Sequence, residues 1–412
     1  MELDEHQVEA VKEAVRNGLL VITGGPGTGK TTTINTIIKY FELEGMDIFL
    51  AAPTGRAAKR MSETTGYEAR TIHRMLELNG GMDTGSAAGF ERNERNPLET
   101  DVIIIDEMSM VDISLMYSLL KAVVAGTRLI LVGDVNQLPS VGPGSVLKDI
   151  IDSGAFHTVK LTKIFRQAST SDIIVNAHKI NNGEEVSLDN KSMDFFFLKR
   201  YDADKIINVT LQLIKQKLPK FVNATEYDIQ VLTPMRKGLL GVERLNGILQ
   251  AYMNPADKSK REKEYRGTIF REGDKVMQTK NNAKASNGDI GYIRKMGRNA
   301  KNEMVVTIEF SGDRIAEYGM EEMGHMELAY ATTVHKAMGS EFDIVIMPIL
   351  RSHYIMLNRN IVYTAITRAK EQVIPVGQKK ALIMAILKKA TGKRNTQLGE
   401  RIGKYLKAFT RQ

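Results

Sequence analysis

One stretch restricts the fold of this 412-residue chain more than any other: Gly24-Gly25-Pro26-Gly27-Thr28-Gly29-Lys30-Thr31. It follows the apolar run Leu19-Leu20-Val21-Ile22 and precedes Ile34, Ile37, Ile38 and Phe41, spaced as one face of a helix. A strand, a turn with the pattern G-x-x-x-x-G-K-[ST] and a helix together make a phosphate cradle. Glycine lets backbone N–H groups converge on a polyphosphate, and the helix N-terminus adds a favourable dipole. Gly25, Pro26, Gly27, Thr28, Gly29 and Thr32 are the expected lining. Lys30 would reach the β- and γ-phosphates, and the Thr31 hydroxyl would ligate Mg²⁺. The stretch predicts a nucleoside-triphosphate site.

Upstream, residues 3–15 read as a short helix with Val8, Val11 and Val15 on one face. Asp4 is its expected N-cap, and Gln7 stands three residues later, at capping-box spacing. The Gln7 carboxamide, with a donor and an acceptor together, also suits the edge of an adenine base. Both readings stand on position alone. Downstream, residues 47–52 form a second apolar strand, and Pro53-Thr54-Gly55-Arg56 turns into a helix through Ala57, Ala58 and Met61. Thr54 and Arg56 suit phosphate contact at that helix start, although Thr54 can equally cap it. A short helix begins at Thr71. Residues 79–96 are Gly-rich and polar, with Phe90 their single aromatic residue, and read as a disordered loop or a hairpin arm.

Val102-Ile103-Ile104-Ile105 is an uninterrupted apolar strand, as in a parallel sheet buried on both faces, and it ends in Asp106-Glu107. Two carboxylates after such a strand supply the remaining parts of a triphosphatase. Asp106 would hold Mg²⁺ through water, and Glu107 would orient and deprotonate the attacking water. The strand 128–132 leads into residues 133–139 and places Gln137 at the carboxyl edge of the sheet, where ligands of doubly wound sheets bind. Arg166 is a candidate γ-phosphate finger. A second α/β pattern begins near Asp172. Residues 254–325 interrupt it with charged, Gly-rich, alternating strands suited to a small antiparallel barrel. It resumes at Thr332 and includes a strand at 372–376 in which Pro375 indicates an edge or a bulge.

The chain's length predicts two or three domains. No apolar run approaches membrane-spanning length, and the acidic N-terminus lacks the order of a signal peptide, so the cytoplasm is the expected compartment. The absence of cysteine excludes disulfides and thiolate metal sites. Net charge is +8, but residues 379–412 hold ten basic residues and one acidic, leaving 47 basic and 48 acidic elsewhere. Charge alone therefore argues as well for a solvated basic tail as for nucleic-acid binding.

Taken together, these segments resemble the superfamily 1 DNA helicases, most closely the RecD-like branch, over essentially the whole chain. The resemblance implies an α/β fold of two RecA-like lobes with parallel sheets. The first lobe spans 1–167, with a hairpin-like arm at 79–96. The second spans 168–254 and 326–390, with an SH3-like β insertion at 255–325, and a basic tail follows at 391–412. It implies that Gln7 reads adenine, that Arg166 and Arg368 are arginine fingers, and that Glu341 lies at the nucleotide. Pro53, Thr54, Arg56, Thr71, His73, Thr333, His335 and Lys336 would contact DNA. The implied activity is ATP-dependent 5′-to-3′ translocation on single-stranded DNA with duplex unwinding, as a monomer in repair or recombination, with other repair proteins as candidate partners. Three departures stand out. Met338 occupies a position where the family usually has Gln. The arm at 79–96, where the family has its strand-separating pin, has Phe90 as its only large apolar side chain. Longer members carry an N-terminal domain before the glutamine, so this chain reads as a minimal core or a fragment. The alternatives are an RNA helicase, the helicase portion of a conjugative relaxase, and a nucleotide-dependent switch without motor activity.

Overall fold

Alternating buried strands and amphipathic helices build two separate α/β units. The computed structural model describes residues 3–78, 89–165, 169–222, 225–282, 284–310, 314–389 and 394–409. One compact unit comprises residues 1–174 and 391–412, the other residues 175–390.

In the first unit six strands, β1 (Leu19–Gly24), β2 (Ile48–Ala52), β3 (Ala69–Thr71), β4 (Val102–Ile105), β5 (Arg128–Gly133) and β6 (His157–Leu161), form one sheet. Its order is β3-β2-β4-β5-β1-β6, and every neighbouring pair is parallel. The helices are α1 (Glu5–Arg16), α2 (Lys30–Leu43), α3 (Gly55–Thr65), α4 (Ile72–Met75), α5 (Ile113–Ala122) and α6 (Val146–Ser153). Successive strand residues point to opposite faces, so the apolar strands feed two cores. Leu20, Ile22, Ile104 and Ile130 pack with Ile34, Ile37, Ile38 and Phe41 of α2. Val21, Ile103, Ile105 and Leu131 pack on the other face with Leu115, Leu119, Val146 and Ile150.

The second unit begins its sheet with β7 (Leu198–Lys199) and β8 (Ile229–Thr233). An insertion follows. The hairpin of β9 (Glu262–Tyr265) and β10 (Thr268–Arg271) precedes β11 (Lys275–Gln278), β12 (Ile290–Arg298), β13 (Met304–Phe310), β14 (Arg314–Gly319) and β15 (Met326–Leu328). These last five form an antiparallel sheet in the order β14-β13-β12-β11-β15, with Val276, Ile293, Val306, Ile308 and Tyr318 in its core. The parallel sheet resumes with β16 (Ala331–Thr333), β17 (Phe342–Ile349) and β18 (Ala369–Gly377), in the order β16-β8-β17-β18-β7.

Four local expectations change. In α1 the buried face is Gln7, Ala10 and Ala14, and Val8, Val11 and Val15 flank it half-buried. Pro375 does not mark an edge: β18 pairs with β17 through Pro375 itself and with β7 on its other side. The Val373 N–H donates to Asp194, so ladder alternation turns the missing Pro375 N–H toward β7 as well, where pairing resumes only at Val376. The C-terminal basic stretch is more than a tail. Its helix Leu398–Phe409 packs on α6, with Leu398 and Ile402 against the first unit's core. Just before it, Arg394 donates to the carbonyls of Ser140, Gly142 and Gly144 at 2.5–2.7 Å. Finally, residues 79–88 of the arm lie outside the described residues, but its base is structural. Leu78 and Phe90 form an antiparallel bridge, Arg92 pairs with Glu77 at 2.9 Å, and Phe90 packs against the core.

Candidate active site

The phosphate loop leaves β1 and enters α2 through Gly29, whose φ of 78° is in the left-handed region open to glycine. A side chain there would also collide: its Cβ would stand 2.4 Å from Gln7 Nε2 and 2.8 Å from the Phe165 ring. The loop closes through side chains. Thr28 Oγ1 donates to Gly25 O at 2.8 Å, and Lys30 Nζ donates to Gly24 O and Gly25 O at 2.8 and 3.0 Å. These carbonyls hold the ammonium beside the cradle, where a polyphosphate would compete for it.

Gln7 is 1% exposed and fulfils its capping role. Its backbone N–H donates to Asp4 Oδ1, its Oε1 accepts from the Asp4 N–H, and its Nε2 donates to Gly29 O at 3.2 Å. The same side chain therefore caps α1 and touches the phosphate loop.

Asp106 and Glu107 leave the carboxyl end of β4. The Asp106 N–H donates to Ala51 O at 3.0 Å, continuing the pairing toward β2. Desolvation first, then repulsion from Glu107, pushes the Asp106 carboxyl up to about 6, and Lys30 and Arg60 oppose that rise. Such a group gains from a cation. The hydroxyl and carboxylate oxygens of Thr31 and Asp106 are hard donors of the kind Mg²⁺ prefers, and both residues line one cleft with Glu107. Among the described residues no group of three or more His, Cys, Asp or Glu gathers as a metal cage, so any cation would rely on substrate oxygens and water. Glu107 has φ 54°, a left-handed backbone unusual for a non-glycine residue. The loop after β5 approaches β1 through Val135 N–H and Thr23 Oγ1 at 3.5 Å. In it Gln137 is 7% exposed, and its Oε1 is buried without a hydrogen-bond partner. An incoming water or phosphate-bound group could satisfy it.

The second unit brings Arg368 and the segment after β16 together. Arg368 is 3% exposed, donates from Nη1 to Ser340 O at 3.2 Å, and leaves its buried Nε unpartnered. Glu341 adjoins Ser340 at the entry to β17. Arg166 lies outside the described residues. Met338 is buried, which makes it a packing side chain in this unit.

The expected DNA contacts share one local device. Thr54, Thr71 and Thr333 each accept, at Oγ1, a backbone N–H three residues on, from Ala57, Arg74 and Lys336 at 3.1–3.2 Å. A hydroxyl that accepts in this way still has a proton to donate to a phosphate oxygen. Pro53 and Arg56 flank the first of these caps, and His335 lies within the third turn. Lys336 pairs with Glu327 at 2.6 Å, which also takes Arg236. His73 is turned to the Phe90 ring, with centroids 5.8 Å apart, and burial holds its imidazole below the ordinary value. The two rings meet at a tilt of 47°, and burial disfavours the imidazolium. Sequence reasoning missed Phe165, whose N–H donates to Gly27 O at 3.3 Å, and Arg60, which lines the carboxylate cleft. Their signals were adjacency to Arg166 and one-turn spacing from Arg56.

Comparison with known proteins places this geometry. Residues 7–143 match the family described as an AAA domain, residues 245–310 the ATP-dependent RecD-like DNA helicase SH3 domain, and residues 328–376 the UvrD-like helicase C-terminal domain. The chain is 38% identical over 402 residues to the ATP-dependent RecD2 DNA helicase of Deinococcus radiodurans, matching 97% of its own length and 52% of that protein. It is 30% identical to the RecBCD enzyme subunit RecD of Mycobacterium tuberculosis, across 94% of this chain and 71% of that one. The chain thus spans about half the length of the first relative and about seven-tenths of the second. A solved structure of two coordinating Pif1 helicases at forked duplex DNA shares the fold, with TM-score 0.57 at 19% identity, covering 100% of this chain and 98% of that one.

Proposed function

Because this chain belongs to the RecD-like family of DNA helicases, we propose that it hydrolyses ATP to move 5′-to-3′ along single-stranded DNA and to open duplex forks. The reading includes a monomer working in the cytoplasm in repair or recombination. Its chief support is the placement of Lys30, Thr31, Asp106, Glu107 and Gln137 at the carboxyl edge of one parallel sheet, around a glycine-rich turn, with Thr31, Asp106 and Glu107 lining one cleft.

The residues divide the work as follows. The N–H groups of Gly25, Gly27, Thr28, Gly29 and the start of α2 bind the triphosphate, and Lys30 exchanges Gly24 and Gly25 carbonyls for phosphate oxygens. Thr31 and Asp106 would hold Mg²⁺, which neutralises phosphate charge when bound. Glu107 orients the attacking water and takes its proton. Gln137 turns its unpartnered carboxamide oxygen to the water or its neighbours. Arg368, with Arg166, supplies positive charge as the transition state forms. Removal of the γ-phosphate releases that arginine contact, and the two units then grip the strand alternately. Thr54, Arg56, Thr71, Thr333, His335 and Lys336 contact the strand at its phosphates, so binding is salt-sensitive and tolerant of sequence.

The test is ATP turnover alone, with single-stranded DNA and with RNA of the same sequence, followed by unwinding of duplexes with 5′ or 3′ tails. Stimulation by DNA and unwinding from the 5′ tail are expected. Greater stimulation by RNA would make it an RNA helicase, and no stimulation by either would leave a switch.

A further inference from the structure

Arg60 has no part in the scheme above, yet it faces the chemistry. It stands on α3, an 11-residue helix capped by Thr54. Arg56, placed above at the DNA strand, lies four residues earlier, one helical turn away on the same face. Arg60 lines the narrow cleft together with Thr31 of the phosphate-loop helix and with Asp106 and Glu107. One helical turn therefore separates a proposed DNA contact from a guanidinium that shares a cleft with Glu107.

The seat of α3 suits a part that shifts. Its N-terminal contacts to the sheet are a cluster of three small side chains, Ala52, Ala57 and Ala58. Such a surface interlocks little, so sliding along it disturbs few packed atoms. The far end is held more firmly: Asn35 of α2 donates to Thr64 O at 3.1 Å, and Ser62 Oγ accepts the Ala69 N–H at 2.8 Å. A pull at Thr54 and Arg56 is thus met by anchors at 62–64, and Arg60 lies between them. On the opposite wall Glu107 has a left-handed backbone conformation at the end of a buried strand. The Asp106 N–H beside it is bonded to Ala51 O of β2, so the sheet holds that wall, while the start of α3 rests on small side chains.

We propose that Arg60 is a positioning residue for hydrolysis, through which strand contact at the start of α3 sets the orientation of the Glu107 carboxylate. The inference rests on the proposed function, since it presumes DNA-stimulated ATP hydrolysis. It adds a residue and a direction to it: the strand acts on Glu107 across the α2–α3 cleft, with a guanidinium as the contact.

The experiment compares the unaltered protein with R60A and R60K. It measures ATP turnover without DNA and with saturating single-stranded DNA, the KM for ATP, and strand affinity by fluorescence anisotropy. In R60A the ratio of DNA-saturated to DNA-free turnover should fall at least tenfold through kcat, with KM for ATP and strand affinity each within threefold. R60K, which keeps the charge and loses the planar fork, should recover part of the ratio. An unchanged ratio in R60A would overturn the proposal and make Arg60 a surface residue. A weaker strand affinity with full turnover at saturation would overturn it too, because Arg60 would then only grip phosphate. Circular-dichroism melting of both variants identifies misfolding; R60A melting far below the unaltered protein while R60K restores fold and ratio together would assign Arg60 to stability, against the proposal. If the unaltered protein shows no stimulation by DNA, the functional reading fails first and this inference with it. Stimulation of the unaltered protein beside an unchanged R60A ratio defeats this inference alone.

Discussion

The turns after β1 and after β8 begin alike and end differently. Each leaves a buried parallel strand, passes through glycines and enters a long helix: α2 in the first unit, Val242–Met253 in the second. In the first, the loop closes through Thr28 and Lys30 side chains, and Gly29 enters the helix left-handed. In the second, the backbone closes on itself. The Val242 N–H donates to Met235 O and the Glu243 N–H to Arg236 O, both at 3.1 Å, and Thr233 Oγ1 donates to Leu240 O at 2.7 Å. The first N–H groups of the second helix, which would meet a phosphate in the first unit, are already engaged. One frame therefore closes in two ways, through side chains in the first unit and through backbone in the second.

That contrast can be broken at several points. The largest effect is expected in the second unit. Arg368→Ala should lower turnover by roughly 10³–10⁵ while sparing ATP affinity, since a finger acts mainly on the transition state; a change below threefold in single-turnover assays would return Arg368 to a structural role with Ser340. Glu107→Gln should lower turnover by roughly 10²–10⁴ and leave ATP bound and uncleaved, as a lost general base predicts. Wild-type turnover in a rapid-quench measurement would reject that base.

The paired lysines sharpen the comparison directly. Lys30→Ala should weaken binding of a fluorescent ATP analogue at least tenfold, and Lys237→Ala, in the second turn, should not. Equal losses would mean that the second turn also meets nucleotide. The units should also differ in acid. Burial pushes His353 of the second unit down to about 4, whereas an unfolded histidine titrates near 6.5. The unfolded chain therefore binds the extra proton, so this stability is intact above about pH 6.5 and is lost as pH falls toward 4, by roughly 3 kcal/mol at full extent. His353→Leu should flatten that part of the second unit's melting profile between pH 7 and 4.5, and an unaltered profile would count against it. The smallest effect on ATP turnover belongs to the arm. Replacing residues 80–88 with a short Gly-Ser turn should leave DNA-stimulated turnover within twofold and abolish unwinding. Unwinding at the full rate would make the segment a surface loop.

Much of this was legible from the chain because its signals are local. Val102 to Ile105 is buried on both faces as its unbroken apolar run requires, and the carboxylates follow at the sheet edge. Ile34, Ile37, Ile38 and Phe41 form the buried stripe of α2 at the expected spacing. Other features depend on partners distant in sequence. Phe90 read from sequence only as the arm's single aromatic residue, but it meets His73 at the arm's base and packs against the core, so removing the arm through Phe90 would damage the core. Gln7 could be assigned to capping from the residues, whereas its bond to Gly29 exists only once α1 lies beside the loop. In the C-terminal stretch the spacing of Leu398, Ile402 and Leu406 was helical all along, but basic charge obscured it. Pro375 misled because an edge was inferred from one missing N–H, and a short neighbouring strand tolerates that gap.

The helix Leu398–Phe409 has a consequence for how the protein is made. It completes the first unit, yet the ribosome reaches it only after every residue of the second. During synthesis the first unit precedes the second and waits, with the surface of α6 and the loop at 140–144 uncovered, while its neighbour is translated. The unit proposed to bind nucleotide is thus begun before its neighbour and finished after it.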